Sequence, residues 1–232
     1  MDAKVASWIE EHQASGTFSN ASGNTKAAII IEPRRAHMLI PIIRYTMNVL
    51  GHTWNLYVFV SEQNEKWVRE SLSGWHISIR KIPAPTLTCI GYNFMLTRKA
   101  FWMNFAEEYL FMFHIDSVLL RRPPECVWKY GMVGSPSATG MISGRMSTRL
   151  RSCMLGILEN IRPIPDMNED VFFTYGLRYL YPSKSPTLTF CGQIFVEKLL
   201  MNLTLCGLDS ASLPTTCVDL ILSECCISKN YA

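Results

Sequence analysis

The run His114-Ile115-Asp116-Ser117, followed by Arg121-Arg122, places a carboxylate and guanidinium groups directly after the most apolar stretch of the chain. Glu32-Pro33-Arg34-Arg35, with His37 close behind, and Ser61-Glu62-Gln63-Asn64 follow apolar stretches in the same way. A carboxylate at a strand end can hold a divalent cation, and guanidinium groups can grip diphosphate oxygens with two parallel hydrogen bonds. Asp116 also has a plainer reading as the cap of the next turn, and the arginines as solvated surface charge. Their joint placement on one rim is what favours a ligand.

Asp166, Glu169 and Asp170 form a second acidic group. At a helix start such side chains offset the macrodipole and cap free amides. Near a sugar, a carboxylate can instead take the proton of an attacking hydroxyl. Both readings stand. Ser143-Gly144-Arg145-Met146-Ser147 reads as a small-residue loop leading into a helix, where glycine permits close backbone approach to a ligand or simply makes a turn. Tyr92 and Asn93, just after a loop, are candidates for ligand contact, whereas Phe101 and Trp102 read as core.

The elements that must position these groups follow from hydrophobic patterning. An N-terminal helix and a polar linker over residues 14–26 precede a buried strand at 27–31. Next come a helix at 38–50 ended by Gly51, a strand at 56–60, a helix at 62–71 and a strand at 75–82. Pro83, Pro85 and Gly91 mark a loop, and Thr97 caps a short helix containing Phe101, Trp102 and Phe105. A strand at 109–115 ends at Asp116, followed by a strand at 128–134 and helices at 147–161 and 168–180. Residues 187–232 are the least readable. Strand–helix alternation through the first half predicts an α/β domain with a largely parallel sheet.

Composition narrows the function classes. A net charge of +3 with scattered basic residues argues against a nucleic-acid binder. The eight cysteines include no C-x-x-C pair, so they read as buried reduced thiols rather than a disulfide framework or zinc site. No signal-peptide pattern or membrane span is read, which predicts a soluble cytoplasmic protein (host cytoplasm, if the source is a virus). On that reading the glycosylation sequons at Asn20 and Asn202 are chance matches.

The segments AAIIIEPRR, WNLYVFVSEQNEKWV, YNFMLTRKAFW, YLFMFHIDSVLLRRP, SGRMSTR and NEDVFFTYGL, in that order, resemble one family. It is the glycosyltransferase-like domain-of-unknown-function family 5672, found among large DNA viruses, fungi, plants and bacteria. Its pattern has a strand ending in E-x-R, a Y-N-x-L-L-T-S-x-x-F-W helix and a Q-T-D-S strand end. An N-G-G-F-S-L-R loop and a P-E-D-V-F-F-S segment follow. The resemblance covers roughly residues 27–182.

That resemblance implies a GT-A-like fold, a mostly parallel Rossmann-type central sheet flanked by helices. A single domain over residues 27–232 would follow the helix and linker of 1–26, with a nucleotide-sugar-binding half at 27–122 and an acceptor-binding half at 123–232. The implied activity is a glycosyltransferase moving a hexose or pentose from a UDP- or GDP-sugar to a hydroxyl of a glycan or glycoprotein, with inversion. Asp170, or else Glu169, would be the base. Glu32, Arg34, Arg35, Tyr92, Asn93, Asp116, Ser117, Ser143 and Gly144 would line the donor site, with Asp116 binding a divalent cation, Mn2+ by analogy. Against the pattern, Asp116 is a lone aspartate, Arg145 replaces the second glycine of the loop, and no histidine follows His114. These departures support an alternative, a catalytically degenerate domain that binds nucleotide sugars or glycans.

Overall fold

The apolar runs of the first half form parallel strands that alternate with helices. The structure, a computed structural model, describes residues 3–13, 16–137, 140–165 and 167–187. Helix α1 (Ala3–Glu11) is followed by β1 (Lys26–Ile31), α2 (Leu39–Leu50), β2 (Trp54–Val60), α3 (Glu62–Ser71) and β3 (Ser78–Lys81). β2 pairs in parallel with both β1 and β3. All of β2, and all of β1 after Lys26, is buried. A strand covered on both faces meets water on neither, which is why these segments are continuously apolar rather than alternating. Local chemistry sets the ends. Gly51 closes α2 with φ of 81°, a conformation that favours glycine. Ser61 caps α3, its hydroxyl accepting from Gln63 N at 3.2 Å while Asn64 Oδ1 accepts from Ser61 N at 2.9 Å.

The chain then crosses to the other side of β1. Helices α4 (Cys89–Leu96) and α5 (Lys99–Trp102) lead into β4 (Tyr109–Phe113), which pairs in parallel with β1. Strands β5 (Met132–Pro136) and β6 (Ile142–Leu150) follow, then helices α6 (Arg151–Asn160) and α7 (Glu169–Leu180). The sheet order is β3-β2-β1-β4-β6-β5, with β6 antiparallel to β4 and to β5. The α/β class, with a mostly parallel central sheet flanked by helices, is therefore as expected. Because β2 and β4 lie on opposite sides of β1, the strand order reverses there. The crevice beyond the carboxyl ends of β1 and β4 is the topological switch point at which open α/β sheets bind their ligands.

The second half departs from the sequence reading. Residues 89–96, taken as loop, form α4, started by Thr88, whose hydroxyl accepts from Gly91 N at 3.1 Å. Tyr92 and Asn93 thus sit on a helix. Thr97 ends that helix rather than starting the next. Ser143 to Ser147 belong to β6, and α6 begins only at Arg151. The strand expected over 128–134 begins at Met132, after a 3-10 turn at Glu125–Lys129.

The polar stretch before β1 is not a free tether. Phe18 is buried, and Asn20 accepts from Leu56 N at 2.7 Å and donates to Leu56 O at 3.0 Å. Its side chain continues the β2 ladder just where β3 has not yet begun. Asn202, Asp166 and residues 188–232 lie outside the described residues. Among the described residues, no helix is long and apolar enough to cross a membrane.

Candidate active site

The rim after β1 is built around one carboxylate. Glu32 is buried and accepts from Arg34 three times: from its backbone N at 3.0 Å, from Nε at 2.8 Å and from Nη2 at 2.8 Å. Hydrogen bonding to Glu32, helped by its charge, raises the Arg34 pKa further, so the guanidinium is permanently cationic. Asn64 holds the same turn from α3, donating to Glu32 O at 2.8 Å and Arg34 O at 2.9 Å, while Ser61 Oγ donates to Pro33 O at 2.6 Å. The Arg35 guanidinium lies 5.3 Å from the centre of the Trp67 ring.

Asp116 stands beyond β4 and is exposed. Ser117 is buried beside it, with Oγ donating to Asp116 Oδ1 at 3.4 Å. The antiparallel register, with Met112 opposite Ser147, carries residues 143–145 past the end of β4. That extension brings Arg145 Nη1 to 3.4 Å from Asp116 Oδ2. One residue earlier, Gly144 N donates to Asp170 Oδ2 at 3.3 Å. The strand-end aspartate and the helix-start aspartate therefore meet on one short stretch of β6. Ser143 lies in the same stretch, half-buried. Asp170 is itself half-buried; its Oδ1 accepts from Val171 N at 2.7 Å. Each of its oxygens keeps a lone pair for another donor.

Glu169, next to Asp170, is differently placed. Its oxygens are gripped by Arg149 Nη1 at 2.7 Å and Nη2 at 3.0 Å, and both residues are buried. Arg149 also donates from Nε to Ser147 Oγ at 3.0 Å, and its guanidinium lies 5.6 and 5.8 Å from the centres of the Trp102 and Phe173 rings. Burial pushes this guanidinium down, but the charge and hydrogen bonds of Glu169 outweigh it, and the net pKa is raised. Gly144 packs directly on the pair. A Cβ there would collide with the Glu169 carboxylate and with Arg149 Nη2, so the missing side chain makes room for the ion pair rather than for a ligand. Arg149 was not singled out from the sequence. The available signal was the related N-G-G-F-S-L-R pattern, whose last arginine falls on it.

Tyr92 and Asn93 join α4 to both acidic places. The Tyr92 hydroxyl and His114 Nε2 share a hydrogen bond of 2.9 Å. Asn93 Oδ1 accepts from Glu169 N at 3.2 Å, and its Nδ2 donates to Asn168 Oδ1 at 3.1 Å. Asn168, the residue before α7, makes no side-chain cap of its own. Asn93 thus caps α7 from another helix. Burial pushes the Tyr92 phenol up and lowers His114 from 6.5 to about 4, so both are neutral at neutral pH.

A resident Mn2+ at Asp116 does not fit these side chains. Asp116 is a single carboxylate already beside a guanidinium, and His114 Nε2 is engaged by Tyr92. Among the described residues, no cluster of three His, Cys, Asp or Glu could hold a metal ion.

The chain belongs to the family described as Protein of unknown function (DUF5672), which residues 76–203 match. The match begins after the Glu32–Arg34 turn. None of the curated proteins matches the chain. Among solved structures it is similar to the glycosyltransferase GlyE of Streptococcus pneumoniae TIGR4, at 12% identity and a TM-score of 0.44, over 69% of this chain and 44% of that one. The apo form of GlyE is similar at 11% identity and a TM-score of 0.44, over 78% and 49% of the two chains. The chain thus spans less than half the length of these structures.

Proposed function

We propose that this chain is a nucleotide-sugar-dependent glycosyltransferase, with its donor bound at the switch point between β1 and β4. The observation that carries the reading is that Asp116 and Asp170 contact neighbouring residues of β6, Arg145 and Gly144, with the Arg34 charge coupled to Asp116. An exposed cation at that rim suits a diphosphate, and a carboxylate with spare lone pairs suits an acceptor hydroxyl. In the proposed reaction the acceptor oxygen attacks the anomeric carbon while its proton passes to Asp170. The bond from that carbon to the diphosphate breaks on the opposite face, giving inversion, and the nucleoside diphosphate leaves with the electron pair. Glu169, with both oxygens held by Arg149, serves as structure; Asp170 is the base. The donor is a UDP- or GDP-sugar and the acceptor a glycan or glycoprotein hydroxyl.

The test is a panel of UDP- and GDP-sugars, measured for binding by calorimetry and for donor hydrolysis or transfer. Asp170→Asn is expected to retain donor binding and lose turnover by about a hundredfold or more. Donor binding with no turnover in the wild type, unchanged in Asp170→Asn, would identify a binding domain that has lost its chemistry. The lone Asp116 and its arginine neighbour favour that second reading.

A further inference from the structure

We infer that the diphosphate of the donor is gripped by guanidinium groups, Arg145 and Arg34, without a divalent cation, and that Asp116 positions Arg145 instead of ligating a metal. This inference rests on the glycosyltransferase reading above and concerns how the same site handles charge.

The geometry points this way on three counts. Arg145 is placed by backbone, not by chance, because the β6 register runs it past the end of β4 to 3.4 Å from Asp116. The contact is loose and open: the two side chains are 62% and 51% exposed. A guanidinium so held keeps donors free for phosphate oxygens, whereas Arg149 is buried and bonded to Glu169, Ser147 and Gly144. Arg34, 61% exposed and held through Nε and Nη2 by buried Glu32, keeps its Nη1 donors for a ligand, and its charge is coupled to that of Asp116. Each of the two guanidinium groups is thus paired with one carboxylate and keeps donors for phosphate oxygens.

The experiment titrates UDP and GDP into the full chain by calorimetry, once in EDTA and once in MnCl2. The dissociation constant of the tighter-binding nucleotide is expected to agree within about twofold between the two conditions. Arg145→Ala should weaken binding in EDTA by about tenfold or more, with Arg145→Lys recovering part of the loss, because an ammonium keeps the charge but not the fork. Thermal melting of each variant confirms that it folds. Inorganic pyrophosphate should bind at least about tenfold more weakly than the nucleotide; equal affinity would mark a plain anion site and overturn the inference. Binding that appears only with Mn2+, or an Arg145→Ala protein that binds like the wild type, would overturn the inference while leaving the glycosyltransferase reading in place. Absence of nucleotide binding in both conditions would take down both.

Discussion

The molecule contains the same chemical pair twice. Glu32 with Arg34, and Glu169 with Arg149, are each a glutamate gripped by both prongs of a guanidinium. In both pairs the glutamate is buried. What differs is the arginine. Arg34 lies at the rim and is mostly exposed, whereas Arg149 is fully buried beside Trp102 and Phe173 and also donates to Ser147 and Gly144. A half-open pair leaves a preoriented cation for a ligand. A closed pair directs its hydrogen bonds to the protein and ties β6 to α7. Residue type therefore does not separate ligand-binding charge from architectural charge here; exposure of the guanidinium does.

The sharpest way to break the comparison is to remove one buried partner. Glu169→Ala leaves Arg149 charged, fully enclosed and unpaired, and should cost about 3–5 kcal/mol of unfolding free energy. Replacing both residues with apolar ones, Arg149→Met with Glu169→Leu, should recover most of that loss, since no charge is then stranded. Urea unfolding of the single and double variants checks both statements. A loss below about 1 kcal/mol in Glu169→Ala would mean that the pair does not brace β6 against α7.

His114 feels a charge from each pair and offers a readout through pH. Burial is the main cause of its low pKa; among the nearby charges, Asp116 and Glu32 raise it, and Arg145 and Arg149 lower it. Its value falls from 6.5 in the unfolded chain to about 4 in the native one, so the unfolded state binds the extra proton first as pH drops. Stability from this group is whole above pH 6.5, declines as pH falls, and is lost below about 4. The full difference is at most about 3 kcal/mol. His114→Gln should flatten the stability profile across that window. If thermal melts of wild type and variant run parallel from pH 7 to pH 4, the imidazole is not held neutral.

The sequence was most readable where burial and hydrophobicity coincide. β1 and β2 stand out as apolar runs, and α3 is legible to the residue because Ser61 and Asn64 announce its start. β6 was misread for the opposite reason. Ser147, Thr148 and Arg149 are all buried, yet none is apolar, so no hydrophobic period marks the strand. The fold satisfies them with an ion pair and ladder bonds instead of with grease. α4 was missed because Gly91, within the helix, reads as a loop signal after Pro83 and Pro85. The candidate site suffered accordingly. Asp116 and Asp170 could be named as acids, but what joins them is a register on β6, and a register is not written in either residue. Tyr92 and Asn93 were marked as ligand contacts from their position, whereas their polar atoms are used on His114, Asn168 and Glu169.

The smallest expected stability effect belongs to the open pair, and it sharpens the contrast most. Glu32→Ala removes the brace behind Arg34 but strands no buried cation, because Arg34 can turn into water. The remaining cost is one backbone N–H, that of Arg34, losing its acceptor, and the whole change should stay within about 1 kcal/mol. Nucleotide affinity should nevertheless drop by about fivefold to tenfold, since the guanidinium must then be ordered at the moment of binding. Calorimetry with UDP or GDP, beside a urea melt of the same variant, reads both quantities. A large loss of stability with unchanged affinity would invert the assignment and make Glu32–Arg34 the architectural pair. A small loss with weakened binding would leave the two pairs chemically alike and functionally opposite, divided only by how much water each arginine sees.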